Sequence, residues 1–102
     1  MRKPERINYE FDMVLGDTLK QKRINKGYSL FDIAKKLKIT RQAVFRYEKA
    51  EISIKKLTFK KYCLALGEDP VSVYEEVSLK YMRYVDSHKN EIIERKWWYG
   101  TF

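Results

Sequence analysis

Cysteine, histidine, proline and glycine are all scarce in this 102-residue sequence. A single cysteine, Cys63, excludes an internal disulfide, and with only one histidine, His88, there is no cluster of ligands for a zinc ion. No apolar run approaches the roughly 20 residues that a membrane-spanning helix needs. The first residues also lack the apolar stretch of a signal peptide. We therefore expect a soluble, cytoplasmic protein without membrane contact, which is neither a disulfide scaffold nor a zinc finger.

The few helix-breaking residues indicate an all-α protein. Two prolines and four glycines interrupt the chain, and no stretch alternates apolar and polar residues over the length of a strand. The spacing of apolar residues and of capping residues predicts helices over residues 11–25, 29–36, 40–48 and 54–66, and a fifth from residue 70. Ser29 and Thr40 have hydroxyls that can cap the second and third helices, while Gly27 and Gly67 mark helix ends.

The fourth predicted helix covers residues 54–66 and is terminated by Gly67. We expect its inward residues to be Leu57, Tyr62 or the stem of Lys61, Leu64 and Ala65. Cys63 lies in the same helix, and we interpret it as a small buried apolar residue.

The positive charge is concentrated in the middle of the chain. The whole sequence has a net charge of +8, and residues 27–67 hold ten basic and three acidic residues, a net charge of +7. A concentrated positive field favours a polyanionic partner, and nucleic acid and an anionic membrane are the two candidates. The lysine pairs at 55–56 and 60–61 are equally consistent with a surface that only keeps the protein soluble.

Residues 29–48 have the spacing of a helix-turn-helix. Small Ala34 allows two helices to cross closely, and Val44 and Tyr47 hold the second of them from its inner side. Its other side is left exposed and presents side chains suited to base edges, phosphates and a thymine methyl. These side chains are Arg41, Gln42, Phe45, Arg46 and Lys49.

Here the sequence resembles the phage-repressor-like (Cro-type, XRE) helix-turn-helix transcriptional regulators. The similarity runs from Leu15-Gly16-Asp17-Thr18-Leu19-Lys20-Gln21-Lys22-Arg23, through Lys26-Gly27-Tyr28-Ser29 and the motif above, to Leu64-Ala65-Leu66-Gly67-Glu68-Asp69-Pro70. It implies a compact five-helix lambda-repressor-like DNA-binding domain with a C-terminal helical extension, in which Arg23 pairs with Glu48. It also implies that phosphates and base edges are contacted by Thr40, Arg41, Gln42, Phe45 and Arg46, and the predicted DNA-binding set is completed by Lys49, Ser29 and Lys38.

Two positions depart from the family pattern. Lys38 stands where a glycine is usual at the turn. A left-handed conformation costs a non-glycine residue about 1 kcal/mol, so we expect a slightly altered turn here. Leu30 replaces a glutamine near the start of the second helix, which removes one contact expected with DNA.

The C-terminal part of the chain has one apolar stripe. We divide the chain into an N-terminal arm (1–11), a helix-turn-helix DNA-binding domain (12–70) and a C-terminal helical extension (71–102). The stripe on the extension is expected either to pack on its own domain or to form a dimer contact. The candidate dimer residues are Tyr81, Val85, His88, Ile92, Trp97 and Trp98.

These features predict a sequence-specific regulator of bacterial or phage origin that binds double-stranded DNA as a homodimer and acts as a repressor. The alternative is a protein-interaction module on the same scaffold, such as an antitoxin or a phage-encoded inhibitor. There is no phosphate-cradling glycine loop and no nucleophile with an obvious base. We therefore expect neither an enzyme, nor a cofactor, nor a bound metal.

Overall fold

The computed structural model describes residues 9–88, which form five α-helices and no strand. The helices are α1 (Tyr9–Asn25), α2 (Leu30–Leu37), α3 (Arg41–Glu48), α4 (Lys56–Ala65) and α5 (Pro70–Ser87). The predicted all-α fold is confirmed, with differences of one or two residues at the ends of most helices.

Local capping interactions explain where the helices begin. The Ser29 hydroxyl accepts a hydrogen bond from the Asp32 amide at 3.0 Å, and the Asp32 carboxylate accepts one from the Ser29 amide at 2.8 Å. Asp69 caps α5 in the same way, by accepting from the Ser72 amide at 3.1 Å. Each cap satisfies backbone N–H groups that the first helical turn leaves without a partner.

Left-handed backbone conformations mark four of the helix ends, including Ala50 after α3 with a φ of 59°. Gly27 follows α1 with a φ of 77° and Gly67 follows α4 with a φ of 73°. Lys38 ends α2 with a φ of 57°, so it adopts the left-handed conformation itself although it is not a glycine. Its backbone N–H still reaches the carbonyls of the last turn, so the sharp corner between α2 and α3 forms without a glycine.

The core lies where α1 packs between α3 and α5, and where α2 packs against α3 and α4. Apolar side chains from all five helices meet there. The buried apolar cluster consists of Leu15, Leu19, Ile33, Ala34, Leu37, Val44, Phe59, Tyr62, Cys63, Leu66, Val73 and Val77.

The predicted inward face of α4 is wrong in part. Leu57 and Leu64 are 64% and 66% exposed, whereas Tyr62 is fully buried as expected. The inward residues follow the spacing i, i+3, i+4, i+7 from Phe59 to Leu66. Leu57 and Leu64 are seven residues apart and therefore share the opposite side of the helix.

Helix α5 packs along α1 through aromatic and charged contacts. The Phe11 ring lies 5.7 Å from the Tyr74 ring and 5.3 Å from the Tyr81 ring, measured between centroids. Lys22 lies 2.9 Å from the Glu76 carboxylate. The stripe on the C-terminal extension therefore packs partly on its own domain.

The candidate dimer residues have different environments. Tyr81 and Val85 are half-buried, and His88 stacks on Tyr84 with 4.2 Å between ring centroids, beside a groove of about 610 Å³ between α1 and α5. Ile92, Trp97 and Trp98 lie outside the described residues, as does most of the N-terminal arm.

Two further findings concern residues 9–88 only. No helix there is both long and apolar enough to span a membrane, and His, Cys, Asp and Glu side chains form no group of three that could hold a metal ion.

Cys63 is fully buried, as predicted, and burial raises the pKa of its thiol to about 11.

A candidate nucleic-acid interface on helix α3

The N-terminus of α3 is capped by Thr40, whose hydroxyl accepts a hydrogen bond from the Ala43 amide at 3.0 Å. The first turn of the helix contains no acidic residue. The partial positive charge of a helix N-terminus is therefore not compensated by a carboxylate there, which favours an approaching anion.

The outer side of α3 presents four of the predicted contact residues to solvent. Arg41, Gln42 and Arg46 are exposed, and the Phe45 side chain is 41% exposed. On the opposite side Val44 is fully buried and Glu48 is 6% exposed. The helix thus has a fixed inner face and an open outer face.

The beginning of that outer face borders a shallow depression of about 410 Å³. Its lining residues are Leu30, Thr40, Arg41, Gln42 and Phe45. Leu30, which replaces the usual glutamine, is half-buried and contributes an apolar surface at this place.

The end of α3 extends the positive surface. The Lys49 ammonium lies 5.7 Å from the centre of the Phe45 ring, within the range of a cation–π contact. The Arg46 guanidinium lies 3.9 Å from the Glu51 carboxylate, and both side chains remain partly exposed. An exposed ion pair of this length is weak, so Arg46 can exchange Glu51 for another anion at little cost.

The two remaining predicted residues lie at the ends of α2. Ser29 and Lys38 are exposed, and neither lines the depression. The Ser29 hydroxyl is occupied by its cap, and the hydrogen bond from the Ser29 backbone lowers the pKa of Asp32 below its ordinary value. The structure therefore brings Thr40, Arg41 and Gln42 together at the depression. Ser29 and Lys38 lie outside it, at the two ends of α2.

A buried polar cluster fixes the orientation of α3. Arg23 donates to the two carboxylate oxygens of Glu48, at 2.7 Å from Nε and 3.0 Å from the terminal nitrogen Nη2, and its Nη1 donates to the Tyr28 carbonyl at 2.9 Å. Tyr62 donates its hydroxyl to Glu48 at 2.5 Å. These contacts tie the last residue of α3 to α1 and α4.

The ionisation of this cluster follows from its contacts. The hydrogen bond to Glu48 raises the pKa of Arg23, and burial raises the pKa of Tyr62 well above its ordinary value. Arg23 therefore stays charged and Tyr62 stays a hydrogen-bond donor at neutral pH.

Gly16 lets α1 and α3 approach closely. A Cβ atom at this position would lie 2.6 Å from the carbonyl oxygens of both Tyr47 and Glu48. Such a distance is far shorter than a van der Waals contact, so only glycine allows the last turn of α3 to rest on α1 at this separation.

A helix-turn-helix family model matches residues 19–73, which is just over half of the chain. The chain belongs to the XRE family of helix-turn-helix proteins. Membership of this family supports a DNA-binding transcriptional regulator. No curated protein is significantly similar in sequence.

Among solved structures, this helix-turn-helix protein is similar to two crystal structures of the clp gene regulator ClgR from Corynebacterium glutamicum. One has a TM-score of 0.64 and 21% identity, with 69% of this chain and 91% of that chain covered. The other has a TM-score of 0.69 and 18% identity, with 88% of this chain and 94% of that chain covered. At these identities the likeness shows the shared fold.

Two features of the helix-turn-helix protein escaped the sequence reasoning. The hydrogen bond from Tyr62 to Glu48 joins residues 14 positions apart. The one indication of it in the sequence was a tyrosine on the apolar face of α4, whose hydroxyl needs a partner when it is buried. The close approach at Gly16 had no local signal beyond a glycine inside a helix, which usually has a packing reason.

Proposed function

We propose that this helix-turn-helix protein is a sequence-specific regulator of bacterial or phage type that binds double-stranded DNA. In this proposal α3 enters the major groove, where Arg41, Gln42 and Arg46 contact base edges and Phe45 contacts a thymine methyl. Contacts to phosphates come from Ser29, Lys38, Thr40 and Lys49.

The observation that supports the proposal is the two-sided environment of α3. Val44 and Glu48 are buried and hold the helix against the core, whereas Arg41, Gln42 and Arg46 point to solvent from the opposite side. This rigid presentation on a capped helix, in a segment of net charge +7, matches what a groove-reading helix requires.

The protein acts in this proposal as a homodimer that reads two half-sites and represses transcription by occluding a promoter. The charge of residues 27–67 supplies the sequence-independent attraction to phosphates. The second copy doubles the number of base contacts.

The first experiment measures binding of the purified protein to the intergenic DNA upstream of its own coding sequence and to a scrambled duplex, across a salt series. We expect tight binding to the first duplex only. The Arg41→Ala/Gln42→Ala variant should lose at least about tenfold in affinity for the specific duplex, because a bidentate base contact contributes about 1–3 kcal/mol. Its binding to the scrambled duplex should change little.

A matched control removes charge elsewhere. Lys60 and Lys61 are exposed on α4, and their double substitution by alanine should leave the ratio of specific to scrambled affinity unchanged. Equal, weak and salt-sensitive binding of the unmodified protein to both duplexes would contradict the proposal.

One observation favours a second function, that of a protein-interaction module. Phe45 is 41% exposed and borders the depression next to half-buried Leu30, an apolar combination that a protein partner such as a toxin can also use. A partner bound through this surface should remain bound as salt increases, whereas phosphate contacts weaken steeply. Leu30 lines the same depression and is not among the proposed DNA contacts, so a Leu30→Ala variant that loses the partner and retains the specific duplex would separate the two functions.

A further inference from the structure

The turn after α3 holds Glu51 in a fixed place beside Arg46. The Glu51 backbone N–H donates to the Arg46 carbonyl at 2.9 Å. The Ala50 N–H donates to the Tyr47 carbonyl at 3.2 Å, and Ala50 itself has a left-handed φ of 59°. Together these contacts form a Schellman motif. Ala50 is 1% exposed, so burial also holds the turn, and the backbone of Glu51 is fixed relative to α3.

The contact between the two side chains involves one end of the Arg46 guanidinium. The Glu51 carboxylate lies 3.9 Å from Nε of Arg46, and the side chains are 33% and 49% exposed. A guanidinium has one N–H donor on Nε and the others on its two terminal nitrogens. Within residues 9–88 no hydrogen bond is formed by the terminal nitrogens of Arg46. They are therefore available to a ligand while Nε faces Glu51.

We propose that Glu51 is a positioning residue for Arg46, and that Arg46 reads a guanine in the major groove with its two terminal nitrogens. This inference rests on the proposed function. It adds to that function a residue outside the predicted contact set and the base that Arg46 recognises. Guanine presents two acceptors, O6 and N7, at its major-groove edge, and these match the paired donors at the end of a guanidinium.

The carboxylate of Glu51 has two effects on DNA binding. Ordering a long side chain on binding costs entropy, and Glu51 restricts Arg46 before the DNA arrives, so less entropy is lost. In the groove, where water is excluded, the ion pair is also stronger than at an exposed surface. The same negative charge repels phosphates, so it weakens binding to a duplex in which Arg46 finds no guanine. Both effects increase the ratio of specific to nonspecific affinity.

Binding of a Glu51→Gln variant to the specific and the scrambled duplex tests the proposal. Glutamine has a similar shape but no charge, so the scrambled duplex should bind more tightly once the repulsion of phosphates is removed. The ratio of specific to scrambled affinity should fall about fivefold, which is the upper end of what an exposed ion pair contributes. An unchanged ratio would overturn the positioning role, since a carboxylate that only repels phosphates affects both duplexes alike.

Two further variants show whether the effect passes through Arg46. Glu75→Gln is the matched control for charge, because it removes an exposed carboxylate on α5 and should leave the ratio unchanged. Arg46→Lys keeps the positive charge but has neither Nε nor paired donors. In the Arg46→Lys background, Glu51→Gln should no longer change the ratio. A fall of the ratio that persists in this background would show that Glu51 acts on a different group and would contradict the proposal.

The base is identified with 7-deazaguanine, which lacks the N7 acceptor and is substituted for one guanine of the specific duplex at a time. One such substitution should weaken binding of the unmodified protein at least about threefold, as expected for half of a bidentate contact. The same substitution should have no effect on the Arg46→Ala variant. If no guanine shows this dependence on Arg46, the assignment of guanine is wrong.

Nuclear magnetic resonance relaxation of the arginine Nε–Hε groups in the free protein separates failure of this inference from failure of the DNA-binding proposal. The Arg46 group should be more restricted than that of Arg41, which is exposed and has no ion pair within the described part of the chain. Glu51→Gln should make the two groups alike. If Arg46 is restricted in this way but no duplex is bound specifically, the positioning of Arg46 stands and the DNA-binding proposal fails. An Arg46 group as mobile as that of Arg41 in the unmodified protein would refute the inference, whatever DNA is bound.

Discussion

Removing the positive charge of the buried cluster should destabilise the protein strongly. Arg23 is 8% exposed and Glu48 is 6% exposed, and two hydrogen bonds of 2.7 and 3.0 Å join them. Arg23→Met retains most of the apolar stem and leaves the Glu48 carboxylate buried with the Tyr62 hydroxyl as its remaining donor in this cluster. Breaking a buried ion pair in this way typically costs about 3–5 kcal/mol.

The remaining hydrogen bond from Tyr62 places our expectation at the lower end, about 3 kcal/mol. Domains of this size have a free energy of unfolding of about 5–15 kcal/mol, so the loss is a large share of the total. At about 4–8 °C per kcal/mol, Tm should fall by at least about 12 °C. The measurement is urea unfolding followed by circular dichroism, with thermal unfolding as a second readout.

The double variant Arg23→Met/Glu48→Met provides the sharper test. Replacing both charges removes the uncompensated carboxylate, so the double variant should be at least about 1.5 kcal/mol more stable than the sum of the single losses predicts. Lys26→Met is the control because its ion pair with Glu68 is 3.8 Å long and exposed, and such pairs contribute about 0–1 kcal/mol. Additive losses, or a loss for Arg23→Met no larger than that of Lys26→Met, would refute the reasoning.

Three further predictions concern the same framework. Burial raises the pKa of Tyr62 in the folded state, so the stability that Tyr62 contributes is complete below about pH 10 and is lost as the pH rises above it. The free energy of unfolding should therefore fall more steeply in the unmodified protein than in Tyr62→Phe, by up to about 1.4 kcal/mol per pH unit. Equal slopes in alkaline urea titrations would contradict this. Gly16→Ala should destabilise the fold by about 1–3 kcal/mol despite the better helix propensity of alanine, since its Cβ would lie 2.6 Å from the Tyr47 carbonyl oxygen; a variant as stable as the parent in chemical denaturation would disprove the close approach. Lys38→Gly should stabilise by about 0.5–1 kcal/mol because the residue has a φ of 57°, and a lower Tm for this variant would count against backbone strain at the turn.

The local features of the fold were predictable because their interactions span only a few residues. Ser29 and Thr40 each accept from an amide three positions ahead, so the residue types and the spacing alone indicate where α2 and α3 begin. Gly27 and Gly67 adopt left-handed conformations at helix ends, as a glycine that follows an apolar stripe already predicts.

The choice of inward face in α4 could not be made from local spacing. Apolar residues occur on both sides of this helix, and Leu57 fits a helical period as well as Phe59 does. Packing of α4 against α2 and α5 selects the side with Phe59, Tyr62 and Leu66. Leu57 and Leu64 lie on the other side of α4, which neither α2 nor α5 covers.

The candidate interface on α3 was likewise predictable only in part from the sequence. The exposed residues Arg41, Gln42 and Arg46 followed from helix periodicity once Val44 was assigned to the inner side. The depression beside Leu30 and the cation–π contact between Lys49 and Phe45 required the tertiary arrangement, because they depend on distances between side chains rather than on positions along one helix.

The sequence by itself determined that the chain is helical, where most helices start and stop, and which side of α3 is polar, since caps, glycines and periodicity act over three or four residues. Only the tertiary structure decided how close α1 and α3 approach at Gly16, that Tyr62 completes the cluster around Glu48, and which side of α4 lies in the core. These properties depend on contacts between residues far apart in the chain, and their energies arise from burial and geometry that no local pattern specifies.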